Sequence, residues 1–227
     1  MEQKNKLTYR IDRAIMQKEW PLLLLMAGLL LTAVLVYPHL PDQVPSHWNM
    51  QGEVDDYQGR FFGAFFAPLL TVGLYLLLLF LPLIDPKRDN YLKFKGAYTF
   101  LRWGLVVFMA VVYGLTILAA LGYAINIGLA VKAMVSFLLI VIGNFMGQFR
   151  HNYFVGIKTP WTLANEEVWQ RTHRLGGKLW VIGGLFCLAV SPFDAGWAAV
   201  IFFGAIMVMT IVPILYSYLL FAKLKEH

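Results

Sequence analysis

The segment Phe61-Phe62-Gly63-Ala64-Phe65-Phe66-Ala67-Pro68-Leu69-Leu70-Thr71-Val72-Gly73-Leu74-Tyr75-Leu76-Leu77-Leu78-Leu79-Phe80-Leu81-Pro82-Leu83-Ile84 carries no charged residue from end to end. Crossing the hydrocarbon layer as a helix takes roughly 20 apolar residues, so this segment by itself places the chain in a bilayer. The whole composition agrees: 59% of the 227 residues are hydrophobic and only 14% are charged. A soluble domain of that size has far more charge with which to face water.

Working outward, comparable runs extend from Trp20 to Tyr37, about Phe100 to Leu121, about Ile127 to Phe149, Leu179 to Phe193 and Trp197 to Phe221. The expectation is an all-α polytopic transmembrane bundle of about six helices, plus a short cytoplasmic helix. Aromatic residues edge the first run, where amphipathic rings favour the interface, and Pro21 suits a helix start. The fifth run is short and must draw on Leu175 to Lys178 or sit in a thinned bilayer. Pro213 frees a backbone carbonyl that neighbours must satisfy. Lys132 lies near one end of its run, where it can snorkel to the head groups.

The connections decide orientation, because Lys and Arg near helix ends are retained in the cytoplasm. The N-terminal arm holds Lys4, Lys6, Arg10, Arg13 and Lys18. A second basic connection holds Lys87, Arg88, Lys93 and Lys95, and a third holds Arg150, Lys158, Arg171, Arg174 and Lys178. The connection from Pro38 to Arg60 is acidic instead, with Asp42, Glu53, Asp55 and Asp56 against Arg60. Both termini are therefore expected in the cytoplasm of a multi-pass protein of the bacterial cell membrane. The first run ends at Tyr37-Pro38 without a cleavage pattern and reads as a retained signal anchor. The net charge of +6 sits beside apolar runs, facing phospholipid and not nucleic acid. The single Cys187 permits no intrachain disulfide.

The chain divides into a cytoplasmic arm over 1–19, a first helix pair over 20–84 with an extracytoplasmic Pro-rich acidic loop over 38–60, and a four-helix region over 85–227 whose cytoplasmic motif loop covers 150–178. A bundle needs only short connections, so the two long ones are the functional candidates. In the outer one, three prolines fix the backbone and Asn49 with Gly52 suits a tight reversal, which predicts an ordered loop. His39, His47 and the carboxylates of Asp42, Glu53, Asp55 and Asp56 suit either a divalent metal or a cationic peptide, or else form a solvated acidic loop with His47 bonded to backbone. Their spacing matches no metal signature, and no cofactor or catalytic residue is assigned.

In the inner one, Thr159-Pro160 breaks structure, Thr162 caps a short helix and Gly176-Gly177 ends it before the fifth run. On that helix Thr162, Asn165, Glu166, Trp169, Thr172 and His173 share one face, while Glu167 and Arg171 pair on another. Such a face packs either against the bundle mouth or a partner, or lies on the membrane surface with Trp169 at the interface.

Two stretches carry a family resemblance. Asn152-Tyr153-Phe154-Val155-Gly156-Ile157-Lys158-Thr159-Pro160-Trp161-Thr162-Leu163, continued by Glu166-Glu167-Val168-Trp169 and Thr172-His173-Arg174-Leu175-Gly176-Gly177, resembles the SdpI immunity-protein family of bacterial membrane proteins. The outer Leu40-Pro41-Asp42-Gln43-Val44-Pro45-Ser46-His47-Trp48-Asn49, with Gly52 and Asp55, is similar to that family's outer motif. The resemblance implies protection against a secreted peptide toxin, coupled in some members to drawing a cytoplasmic repressor to the membrane. Ligand or partner contacts are then expected at Asp42, His47, Asn49, Asp55, Asn152, Lys158, Thr162, Asn165, Glu166, Trp169 and His173. Lys158 stands where relatives carry Arg, which keeps the charge but loses the bidentate fork.

Two other function classes remain open from the residues. Glu166-Glu167 followed by Arg171 is similar to the paired-glutamate motif of CAAX-type membrane proteases, though that family's intramembrane His motifs are not found. A transporter would place ionisable groups inside the spans, where only Asn144 and Lys132 offer themselves.

Overall fold

A computed structural model of the chain describes residues 8–49 and 53–225, so Lys4, Lys6 and Gly52 lie outside the described residues. Asp12 opens the first helix by accepting the Ile15 N–H at 2.8 Å, and α1 runs Arg13–Val36. The helix thus begins before the apolar run does, and Pro21 stands inside it, not at its first turn. A 3-10 turn, Tyr37–His39, leads into β1 (Gln43–Trp48) and β2 (Val54–Gly59), which pair antiparallel. Then follow α2 (Arg60–Ile84), a 3-10 segment Arg88–Phe94, α3 (Lys95–Ala120), α4 (Ile127–Met146), α5 (Pro160–Ala164), α6 (Glu166–Val190) and α7 (Gly196–Lys225).

Among the described residues, five helical stretches are long and apolar enough to cross a membrane: Arg13–His39, Arg60–Ile84, Arg88–Ala120, Ile127–Met146 and Gly196–Lys225. The remaining long helix, α6, is charged in its first half. It nonetheless traverses the bundle, from the loop beneath Met146 to the turn at Phe193 and Asp194, where Lys132 of α4 donates to the Phe193 carbonyl (3.1 Å) and the Asp194 carboxylate (3.0 Å). The expected short cytoplasmic helix is therefore not separate. It forms the first turns of α6, and Gly176-Gly177 lies within that helix, where a stop was expected.

Those glycines are there for packing. A Cβ on Gly177 would stand 2.7 Å from the Gly143 carbonyl, one on Gly143 2.9 Å from the Gly177 carbonyl, and one on Gly184 3.0 Å from the Ser136 carbonyl. Small residues let two membrane helices approach backbone to backbone, where dispersion and not hydrophobic expulsion holds them. α4 and α6 are the most intimately packed pair, with α7 against α6; α1, α2 and α3 form the other half of the bundle.

Helix-interior prolines leave carbonyls that a bilayer cannot hydrate. Pro82 frees the Leu78 carbonyl, which receives the Tyr98 hydroxyl; Pro213 frees the Met209 carbonyl, which receives the Trp180 indole N–H at 3.1 Å. The expectation that a neighbour would satisfy Pro213 is met, and the donor comes from α6.

The bundle also buries a Glu19–Arg102 ion pair between α1 and α3, both side chains 1% exposed, ringed by Tyr75 and Tyr98. Arg102 lies inside the third apolar run, an ionisable group within a span beyond the polar Lys132 and Asn144 of the fourth. Asn144 is exposed.

Candidate functional site

The Pro-rich acidic connection, expected as a loop, is a hairpin at one end of the bundle. Its strands pair Gln43 with Gly59, Val44 with Gln58 and Pro45 with Tyr57, with irregular register around His47. Bulges of this kind twist a short ribbon and re-aim its side chains. Asn49 and Glu53 close the turn: the Asn49 N–H donates to the Glu53 carbonyl at 2.9 Å and the Glu53 N–H to Asn49 Oδ1 at 3.0 Å. At the base, Arg60 donates to Asp42 Oδ1 at 2.7 Å. Val44 anchors the ribbon, fully buried against Gly63 of α2, where a Cβ would come within 2.6 Å of it, and Pro45 beside it is buried as well.

His47 Nδ1 lies 2.6 Å from Asp55 Oδ1, so its partner is a carboxylate and not backbone. His39 turns back to the Leu35 carbonyl (3.1 Å). His47, Asn49 and Asp55 line a cleft of about 730 Å³, whose far wall is the hairpin-proximal part of α4 and α7: Val131, Lys132, Val135, Phe202, Phe203 and Ile206. Its floor is apolar, while its rim carries the His47–Asp55 contact and the Lys132–Asp194 ion pair. Val131 and Phe203 are 38% and 55% exposed, so the cleft opens on the lipid-facing surface. Sequence reasoning reached the hairpin wall but not the opposite one, because an apolar residue in a membrane helix signals nothing by type alone.

The inner motif occupies the opposite end of the bundle, together with the start of α1 and the end of α7. Asn152 is fully buried; its Nδ2 donates to the Arg150 (2.8 Å) and Val155 (2.9 Å) carbonyls, and its Oδ1 accepts the Phe154 (2.9 Å) and Val155 (2.7 Å) N–H groups. Thr159 caps α5 with Thr162 in a reciprocal capping box, so Thr162 is the third residue of the helix and not its cap. Thr159 also meets Ser217 of α7 at 3.0 Å. Asn165 caps α6, its Oδ1 accepting from Glu167 (2.8 Å) and Val168 (3.1 Å), with Glu166 and Glu167 favoured by the positive helix end.

Trp169 is fully buried, donates to the Phe149 carbonyl at 2.9 Å, and stacks on His173 at 4.1 Å and against His151 at 5.2 Å. His173 takes the Ile157 N–H on Nε2 at 2.9 Å and lies 2.8 Å from the Trp169 carbonyl at Nδ1, which fixes a neutral ring with its proton on Nδ1. Burial pushes its pKa down to about 4, and burial likewise lowers that of His151. Gly156, at φ +118°, passes directly over this ring, and a Cβ there would collide with Nε2.

Of the expected contact residues, Asp42, His47 and Asp55 are exposed and Asn49 is half-buried at the hairpin end. At the motif end Lys158 and Glu166 are exposed and Asn165 is half-buried, whereas Asn152, Thr162, Trp169 and His173 face inward. Glu167 pairs with Arg171 at 2.5 Å, as the spacing predicts. Asp85 was missed: nearly buried after α2, it accepts from the Lys87 N–H (2.7 Å), the Tyr91 hydroxyl (2.9 Å) and the Tyr153 N–H (3.0 Å), stapling the α2–α3 connection to the motif. An acid at the very end of an apolar run, ahead of four cations, was the available signal.

Residues 148–217 match the SdpI/YfhL protein family, and residues 22–72 match a domain of unknown function, DUF1648. The two matches fall in the two halves of the bundle, and the cleft lies between them. The chain is similar to Immunity protein SdpI of Bacillus subtilis (strain 168), 26% identical over 195 residues, covering 86% of this chain and 91% of that protein. No solved structure matches it. Residues 148–217 thus carry the likeness to the SdpI/YfhL family, and the similarity to Immunity protein SdpI extends over most of the chain.

Proposed function

We propose that this protein is an immunity protein of the bacterial cell membrane that protects its cell against a secreted, membrane-active peptide. The similarity to Immunity protein SdpI across 86% of the chain carries the reading. The hairpin stands outside, presenting Asp42, His47, Asn49 and Asp55 to the peptide, and both chain ends stand in the cytoplasm. Charge supports that orientation: Arg10, Arg13, Lys18, Lys87, Arg88, Lys93, Lys95, Lys158, Arg171, Arg174, Lys178, Lys223 and Lys225 are exposed at the motif end. No bond need be made or broken, since capture suffices to keep a peptide from assembling in lipid.

The exposed Lys158 and Glu166 and the half-buried Asn165, with the Glu167–Arg171 pair, form the surface that would report occupancy to a cytoplasmic repressor. The test is expression in a toxin-sensitive strain: survival is expected, and unchanged killing with the protein correctly inserted overturns immunity. Repressor that stays in the cytosol on toxin exposure overturns the signalling arm alone. An impermeant thiol reagent applied to intact cells should modify Tyr57→Cys and spare Lys158→Cys; the reverse pattern overturns the orientation.

A further inference from the structure

We propose that the cleft between the hairpin and the ends of α4 and α7 is a lateral entry site that takes an apolar, cationic segment of a bilayer-bound peptide directly from the outer leaflet. The inference rests on the immunity reading for its orientation and deepens it by naming the site and the ligand chemistry.

Three observations converge on that class of ligand. The size is right: about 730 Å³ falls among ordinary ligand sites. Access is sideways, because Val131 and Phe203 belong both to the cleft wall and to the exposed apolar surface of the bundle. A ligand already dissolved in the leaflet therefore enters without crossing water. Finally, the rim is acidic. Asp55 holds His47 at 2.6 Å and Asp194 holds Lys132 at 3.0 Å. Glu53 and Asp56 add charge on the hairpin, and the Asp55 and Asp194 side chains remain 43% and 54% exposed.

An apolar floor beneath an acidic rim at head-group depth complements a segment that is apolar on one side and carries Lys or Arg on the other. A phospholipid acyl chain would fill the floor equally well, but its phosphate would meet Asp55, Asp194 and the nearby Glu53 and Asp56 with, among the described lining residues, only Lys132 to offset them. The rim therefore selects the cationic peptide.

The test uses the full chain in zwitterionic nanodiscs, with Cys187→Ala and a bimane label on Phe203→Cys or, at the other end of the bundle, on Ile84→Cys. The probes are a synthetic amphipathic Leu/Lys peptide bearing one Trp and its Leu/Glu counterpart. Saturable quenching of the Phe203 label by the Leu/Lys peptide is expected, with the Leu/Glu peptide weaker by about tenfold or more. Combined Asp55→Asn and Asp194→Asn should weaken the Leu/Lys peptide by a similar factor, and Val131→Trp, which fills the cleft from α4, should abolish quenching. Equal quenching by both peptides indicates a lipid groove and overturns the proposal, as does equal quenching at Ile84 or indifference to Val131→Trp. Because binding is read in purified protein, a failed cleft with intact survival removes only this inference, whereas saturable quenching without protection of any toxin-sensitive strain removes only the immunity reading.

Discussion

At the hairpin end the side chains of Asp42, His47, Asp55 and Asp56 stand in solvent and pair along the surface, whereas at the motif end Asn152, Thr162, Trp169 and His173 are buried with their polar atoms bound inside the fold. Both stretches are polar and aromatic, and both read in sequence as contact surfaces. The difference lies in what their hydrogen bonds hold. Exposed pairs exchange readily with water and with a ligand, each worth at most about 1 kcal/mol to stability. Buried, fully bonded groups fix the geometry and are costly to disturb. The two ends should therefore fail in different ways: the hairpin end in recognition, the motif end and the helices above it in folding.

The sharpest test of that contrast lies at Glu19 and Arg102. Arg102→Leu strands the Glu19 carboxylate in a buried site and should destabilise the protein by about 3–5 kcal/mol, whereas Glu19→Leu combined with Arg102→Met should recover most of the loss. Thermal unfolding in detergent reads both, and a single variant as stable as the parent would remove the pair from the framework.

Next comes Gly156→Ala, which combines a positive φ with a collision against His173. It should cost about 3 kcal/mol by the same measurement, and folding reporters should respond before any binding assay does.

Acid should also distinguish the ends. The folded-state pKa of His173 lies at about 4, below its ordinary value of 6.5. Above pH 6.5 the ring is neutral folded or unfolded, so stability is unaffected. As pH falls from 6.5 towards 4, only the unfolded chain takes up the proton, and stability declines by up to about 3 kcal/mol before levelling off. His151, shifted the same way, adds to the slope. A His173→Gln variant should be less stable at neutral pH but flatter over this window. An unchanged slope would place the acid sensitivity elsewhere.

Smallest in stability, and largest in function, are His47→Ala and Asp55→Ala. Their pair is exposed, so the melting temperature should move by no more than about 1 kcal/mol implies. A large loss of stability would mean that the hairpin end is architecture as well.

The helices were legible because each long apolar run can satisfy its backbone in lipid only as a helix. What sequence hid has particular causes. The hairpin escaped because its two buried strand residues, Val44 and Pro45, are adjacent and the rest are exposed or half-buried, so no alternation of any length marks it. Gly176 and Gly177 look like a helix stop, and only the closeness of α4 explains them as packing residues. Glu19 sits just outside an apolar run and Arg102 just inside another, and only the pairing of α1 with α3 turns two ordinary interface charges into a buried bond. The cleft was half visible: its hairpin wall stood out by residue type, while the α4 and α7 wall is apolar and distant in sequence.

Recognition outside and architecture inside can be tested in a single paired measurement: survival of toxin-exposed cells expressing His47→Ala with Asp55→Ala, alongside the thermal stability of the same variant purified from those membranes. The expected result is a protein that melts like the parent at parental abundance yet no longer protects. Full protection by that variant would contradict the account, because the exposed rim would then play no part in meeting the peptide.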